Sequence, residues 1–95
     1  MTFTLHQGDI PDDIDWGGAV AVDTETMGLD PQRDRLCLVQ LSSGDGSAHL
    51  VQIPPAPVNA PNLTALLADP DITKLFHFAR FDMAVLNKAL GVVPA

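Results

Sequence analysis

Apolar positions fall in short runs, and the period of those runs changes part-way along the chain. Phe3 and Leu5 alternate with threonines, which predicts a short edge strand. Residues 19–26, AVAVDTET, are apolar on both faces up to Asp23, which predicts a strand in the interior of a sheet. LCLVQLS (36–42) and AHLVQI (48–53) predict two more strands. The stretch SSGDGS between them reads as a tight turn, and it lacks the Lys-Ser/Thr ending of a phosphate loop. These three strands, joined by short connections, are expected to run antiparallel.

After the proline-rich PPAPVNAPN the period lengthens. Leu63, Leu66 and Leu67 have helical spacing and stop before Pro70, so 62–69 is expected to be a helix. ITKLFHF (72–78) predicts a fourth strand. ARFDMAVLNKALG (79–91) predicts a helix with Phe81, Val85 and Leu86 inward and Gly91 as its C-terminal cap. The order β-β-β-α-β-α, apart from the edge strand, is that of an α/β layer fold with a mixed sheet. The last strand is expected to run parallel to 19–26. A sheet built only this far would keep an open edge and one bare face. Residues 1–95 therefore read as the amino-terminal part of a single domain.

Composition narrows the chemistry. A formal charge of −7 with five Lys or Arg argues against a basic platform for long nucleic acid. Acids can instead gather a divalent metal, which then meets an anionic substrate. A single cysteine, Cys37, excludes an internal disulfide and suits a reducing compartment. Its setting in LCLVQL predicts a small core residue. No signal-like segment opens the chain, and no apolar run approaches the ~20 residues that span a bilayer. A cytoplasmic protein with no membrane association is expected.

The charged residues are unevenly placed. Glu25 is the only glutamate beside eleven aspartates. It sits two residues after Asp23, at the end of an apolar strand. In a strand, i and i+2 point to one side, about 6.6 Å apart along the backbone. Two carboxylates so close repel, and a hard cation with oxygen ligands compensates. A bare Asp-x-Glu is also an ordinary solvated strand end, so the motif by itself is weak. Gly28 allows close backbone approach, and Leu29 follows as an apolar residue beside the acids, suited to contact with a base. Asp82 falls in the first turn of the last helix, where the helix dipole favours a carboxylate. If the fourth strand lies beside 19–26, Asp82 can face the pair.

DTETMGLD, followed about fifty residues later by HFARFDMAVL, resembles the first two motifs of the DEDD exonuclease superfamily, whose members share an RNase H-like fold. Within it the chain is similar to the ribonuclease D group, and to its nano-RNase C branch, over nearly its whole length. The resemblance implies 3′–5′ hydrolysis of phosphodiesters with two divalent ions, Mg2+ or Mn2+. It assigns Asp23, Glu25 and Asp82 as metal ligands and catalytic acids. It places the backbone around Thr24 and Met27 at the 3′ nucleotide, with Leu29 wedged beside the terminal bases. His77, Phe78 and Arg80 become candidate substrate contacts. The implied partners are short RNAs and other nucleic-acid 3′ ends, with a homo-oligomer at full length.

The superfamily also needs a third motif, Tyr-x-x-x-Asp or His-x-x-x-x-Asp. The chain has no tyrosine. His6 and His49 have no aspartate at the required spacing, and His77 and Asp82 both belong to the second motif. The fragment alone is therefore expected to be inactive. The competing expectation is a non-catalytic remnant of the fold that binds nucleotide or a protein partner. Arg33 and Arg35 read as surface partners of Asp30 and Asp34, or as contacts to substrate or a second subunit.

Overall fold

A computed structural model describes residues 2–28, 34–55, 57–76 and 79–95. The strands are β1 (Thr2–Gln7), β2 (Ala19–Thr26), β3 (Leu36–Ser42), β4 (Ser47–Gln52) and β5 (Thr73–Phe76). The helices are α1 (Pro61–Ala68), between β4 and β5, and α2 (Ala79–Leu90), after β5. The sheet order is β1-β4-β3-β2-β5. β2–β3 and β3–β4 are antiparallel, as the short connections require. β5 runs parallel to β2, as expected, and β1 runs parallel to β4 at the opposite edge.

β2 lies between β3 and β5 but is covered on only one side. Val20 and Val22 are buried, while Ala21, Asp23 and Glu25 are exposed. The expectation that both faces of this strand are buried is corrected here. Alanines made the outer face look apolar, and alanine tolerates exposure. Val20 and Val22 join Val39 and Leu41 of β3 and Val51 of β4 in the core. Leu63, Leu66 and Leu67 of α1 and Val85 and Leu86 of α2 close over that layer. The other face is bare among the described residues. Phe3, Leu5 and Leu75 are each more than half exposed, and by register Leu5 and Leu75 share the side of Ala21, Asp23 and Glu25.

Pro61 opens α1, where its missing N–H costs nothing. The residue before it, Ala60, provides no side-chain cap. Asp9, in the loop after β1, does so from a distance. Its carboxylate accepts from Asn62 N at 3.0 Å and Leu63 N at 2.8 Å, and also from Ile10 N at 2.9 Å. Asn62 Nδ2 donates back to Ile10 O at 2.8 Å. The loop and the helix start are thus tied together. Gly91 closes α2 in the left-handed region, donating to Asn87 O as a C-terminal cap should.

On the covered side, β1 and β4 are joined by a histidine pair. His6 Nε2 and His49 Nδ1 are 2.9 Å apart, and Trp16 packs edge-to-face with the His49 ring. One ring donates the proton that the other accepts. His6 is held below its ordinary value of 6.5, first by loss of hydration and second by the charge of His49.

Two outcomes follow. Asp9→Ala should lower stability by about 1–2 kcal/mol in urea denaturation, since the orphan N–H groups of α1 lose their cap. Asp9→Asn, which keeps one acceptor oxygen, should lose less. The unfolded chain protonates His6 more readily than the folded one below 6.5. Stability should therefore fall as pH drops from about 6.5 toward the lowered folded value. Melts at stepped pH should show this slope, and His6→Gln should flatten it.

Candidate active site

Asp23 and Glu25 stand on the exposed face of β2, opposite Gln40 and Leu38 of β3. Alternation along the strand puts both carboxylates on one side. Asp23 also accepts from the N–H of Thr24 at 3.0 Å. Between the two acids, Thr24 points the opposite way and is buried. Its hydroxyl donates to Oδ1 of Asp82 at 2.5 Å.

Asp82 occupies the first turn of α2 and is only 2 % exposed. Its placement beside β2 is as expected, because β5 delivers α2 there. One of its contacts lies on the covered side. Its carboxylate meets the side chain of Thr24 on the covered side, while the Asp23–Glu25 pair faces outward. Among the described residues, no group of three or more His, Cys, Asp or Glu side chains stands ready to hold a metal. The structure therefore brings Asp23 and Glu25 together and links Asp82 to the residue between them.

The exit from β2 is irregular. The β2–β3 register shifts between Glu25 and Thr26, leaving Cys37 as the extra residue on β3. Cys37 is half-buried, outside the core cluster, and its thiol donates to Glu25 O at 3.2 Å. The expectation of a core cysteine is thereby corrected: the bulge turns the thiol toward the neighbouring strand. Met27 N donates to Arg35 O, and the Thr26 hydroxyl bonds Gly28 O. A Cβ on Gly28 would meet the carboxylate of Asp34, the end of a side chain that can turn aside.

Met27 is 68 % exposed, and Arg80 is exposed at the start of α2. Leu29, His77 and Phe78 lie outside the described residues, as do Asp30 and Arg33. Arg35 donates through Nη1 to Ile53 O at 2.9 Å and Leu36 O at 3.3 Å. Sequence reasoning found the acids but missed the roles of the Thr24 hydroxyl, Cys37 and Arg35. Only an unbroken strand pattern around 36–38 was visible there.

Comparison with known proteins establishes the family. The model of the 3′–5′ exonuclease domain matches residues 10–95. The chain belongs to the 3′–5′ exonuclease family. A ribonuclease D from Gluconacetobacter diazotrophicus is 37% identical over 76 residues, covering 80% of this chain and 19% of that protein. Among solved structures, Brucella melitensis NrnC is 53% identical with a TM-score of 0.95, over 100% of this chain and 47% of that one. The same Brucella protein has been solved with bound Mg2+ and with pGG. Escherichia coli RNase D is 31% identical with a TM-score of 0.64, over 81% of this chain and 20% of its own. The chain thus spans about half the length of the first structure and about a fifth of the curated relatives. Membership in the ribonuclease D group, with an RNase H-like fold close to that of NrnC, follows from these matches.

The Thr24–Asp82 bond gives the site a direct test. Thr24→Val removes a donor to a buried carboxylate and should cost about 1–3 kcal/mol. Thr24→Ser should recover most of it. Urea titration of the three proteins measures both values.

Proposed function

We propose that this chain is the amino-terminal part of a metal-dependent 3′–5′ exonuclease acting on short oligoribonucleotides. The observation that carries this reading is the Asp23–Glu25 pair, presented outward from β2 in a chain of the exonuclease family. The 3′–5′ chemistry is supported by the family, the short substrate by the complex of NrnC with pGG, and a divalent ion by NrnC with bound Mg2+ and by the donor set. Asp23 and Glu25 suit a hard divalent ion. Mg2+ is typically held by one or two carboxylates, with water and substrate phosphate completing its shell. The pair would hold the first ion, and Asp82 would serve the second. Bound there, such ions stabilise charge on attacking and leaving oxygens in phosphodiester hydrolysis.

The chain's own contributions are positional. β2 fixes both acids on a rigid interior strand, which holds them more closely than a loop would. The exposed Met27 follows the Asp23–Glu25 pair and the exposed Arg80 precedes Asp82 by two residues, both available to a 3′ nucleotide and its phosphate. Leu29, His77 and Phe78 are proposed to join them. The bare sheet face that carries the acids would be covered by further elements, which would also complete the ligand set. NrnC bound to pGG supports a short substrate, and the full protein is proposed to work in the cytoplasm as a homo-oligomer.

One observation favours the second reading, a non-catalytic remnant that binds nucleotide or a protein partner. Asp82 is buried and bonded to Thr24, on the side away from the pair. The readings separate in one series. In the exonuclease reading the chain alone leaves RNA dimers and 20-mers intact, and any longer product of the same reading frame trims dimers with Mg2+ or Mn2+. Asp23→Ala or Glu25→Gln in that product should lower turnover by about 10²-fold or more. A remnant would show no metal-dependent trimming at any length, and Asp23→Ala would leave its binding unchanged.

A further inference from the structure

The bulge beside Glu25 is held from both sides. On β3, the backbone oxygen of Cys37 accepts from Ile53 N at 2.9 Å. The carbonyl of the same Ile53 accepts from the Arg35 guanidinium at 2.9 Å. Ile53 is fully buried in the core, so the bulged segment 35–37 is anchored to a close-packed residue. On the other side, Arg35 O accepts from Met27 N at 3.0 Å, and the Cys37 thiol donates to Glu25 O at 3.2 Å. One short segment thus grips the core with one hand and the residues flanking Thr26 with the other.

Bulges raise local twist and re-aim the side chains beside them, and they concentrate next to active sites. Here the register shift falls directly after Glu25, so the backbone that carries its carboxylate is set by the bulge. We propose that Arg35 and Cys37 are positioning residues: together they clamp the β2–β3 bulge to Ile53 and so fix the aim of Glu25 relative to Asp23. The proposal rests on the reading of Asp23 and Glu25 as metal ligands and extends it to two residues that reach Glu25 through the backbone of the bulge. Removing a group that orients a metal ligand from behind typically costs about 10–100-fold in metal affinity. The thiol is a weak donor. Its contribution is directional, and the guanidinium provides the stronger tether.

Mn2+ titration of the 95-residue chain, read by the loss of the free-ion electron paramagnetic resonance signal, tests this without any need for turnover. Thermal melts of the same samples monitor folding. Cys37→Val and Arg35→Met should each weaken Mn2+ binding by about tenfold. Cys37→Ser, whose hydroxyl can donate to the same carbonyl, should restore affinity. The rescue matters, because a purely structural role would lower the melting temperature without changing the affinity of the folded fraction. If Cys37→Val proves unable to fold, the comparison of Cys37→Ala with Cys37→Ser takes its place. Wild-type affinity in Cys37→Val or Cys37→Ala and in Arg35→Met, with binding lost in Glu25→Gln, overturns the clamp and leaves the metal site standing. Unchanged binding in Glu25→Gln overturns both.

Discussion

The two-residue period of β2 is the constraint on which the rest of this structure depends. It sends Val20, Val22 and Thr24 to one side and Ala21, Asp23 and Glu25 to the other. The first set builds the core under α1 and α2. The second set presents two carboxylates on a surface that no described element covers. A register slip of one residue would bury both acids and expose the valines, so apolar packing on one face enforces the chemistry on the other.

Thr24 is where the two sides communicate. It is the polar residue of the inward set, and its hydroxyl meets the buried Asp82. That bond ties the start of α2 to the strand that carries the acid pair. α2 is delivered to this place by β5, whose parallel pairing with β2 follows from the intervening α1 crossover. Fold and candidate site are therefore one arrangement: the strand order sets which helix start lies beside the acids.

The polar groups outside the core show a consistent division of labour. Asp9 satisfies the start of α1, the histidine pair joins β1 to β4, and Arg35 and Cys37 hold the bulge. Each spans elements that the hydrophobic core alone would leave free to shift. In a chain this small, where apolar burial is limited, such bonds set the geometry of the ends of strands and helices. Those ends are where the acids stand.

Local pattern in the sequence determined the strands, the two helices, their inward leucines and the shared side of Asp23 and Glu25. These follow from periods of two and 3.6, which neighbouring residues encode by themselves. Gly91 as a helix cap was legible for the same local reason. The sequence also read β2 as covered on both faces and Cys37 as core, because alanine and cysteine look alike in apolar pattern whether or not something packs on them. Tertiary structure alone decided which sheet face is bare, that Asp9 caps a helix 53 residues away, and that Asp82 meets Thr24 across 58 residues. It also decided that the β2–β3 ladder slips beside Glu25. Such contacts depend on how distant segments pair and cross, and no local period records which remote partner a polar side chain will meet.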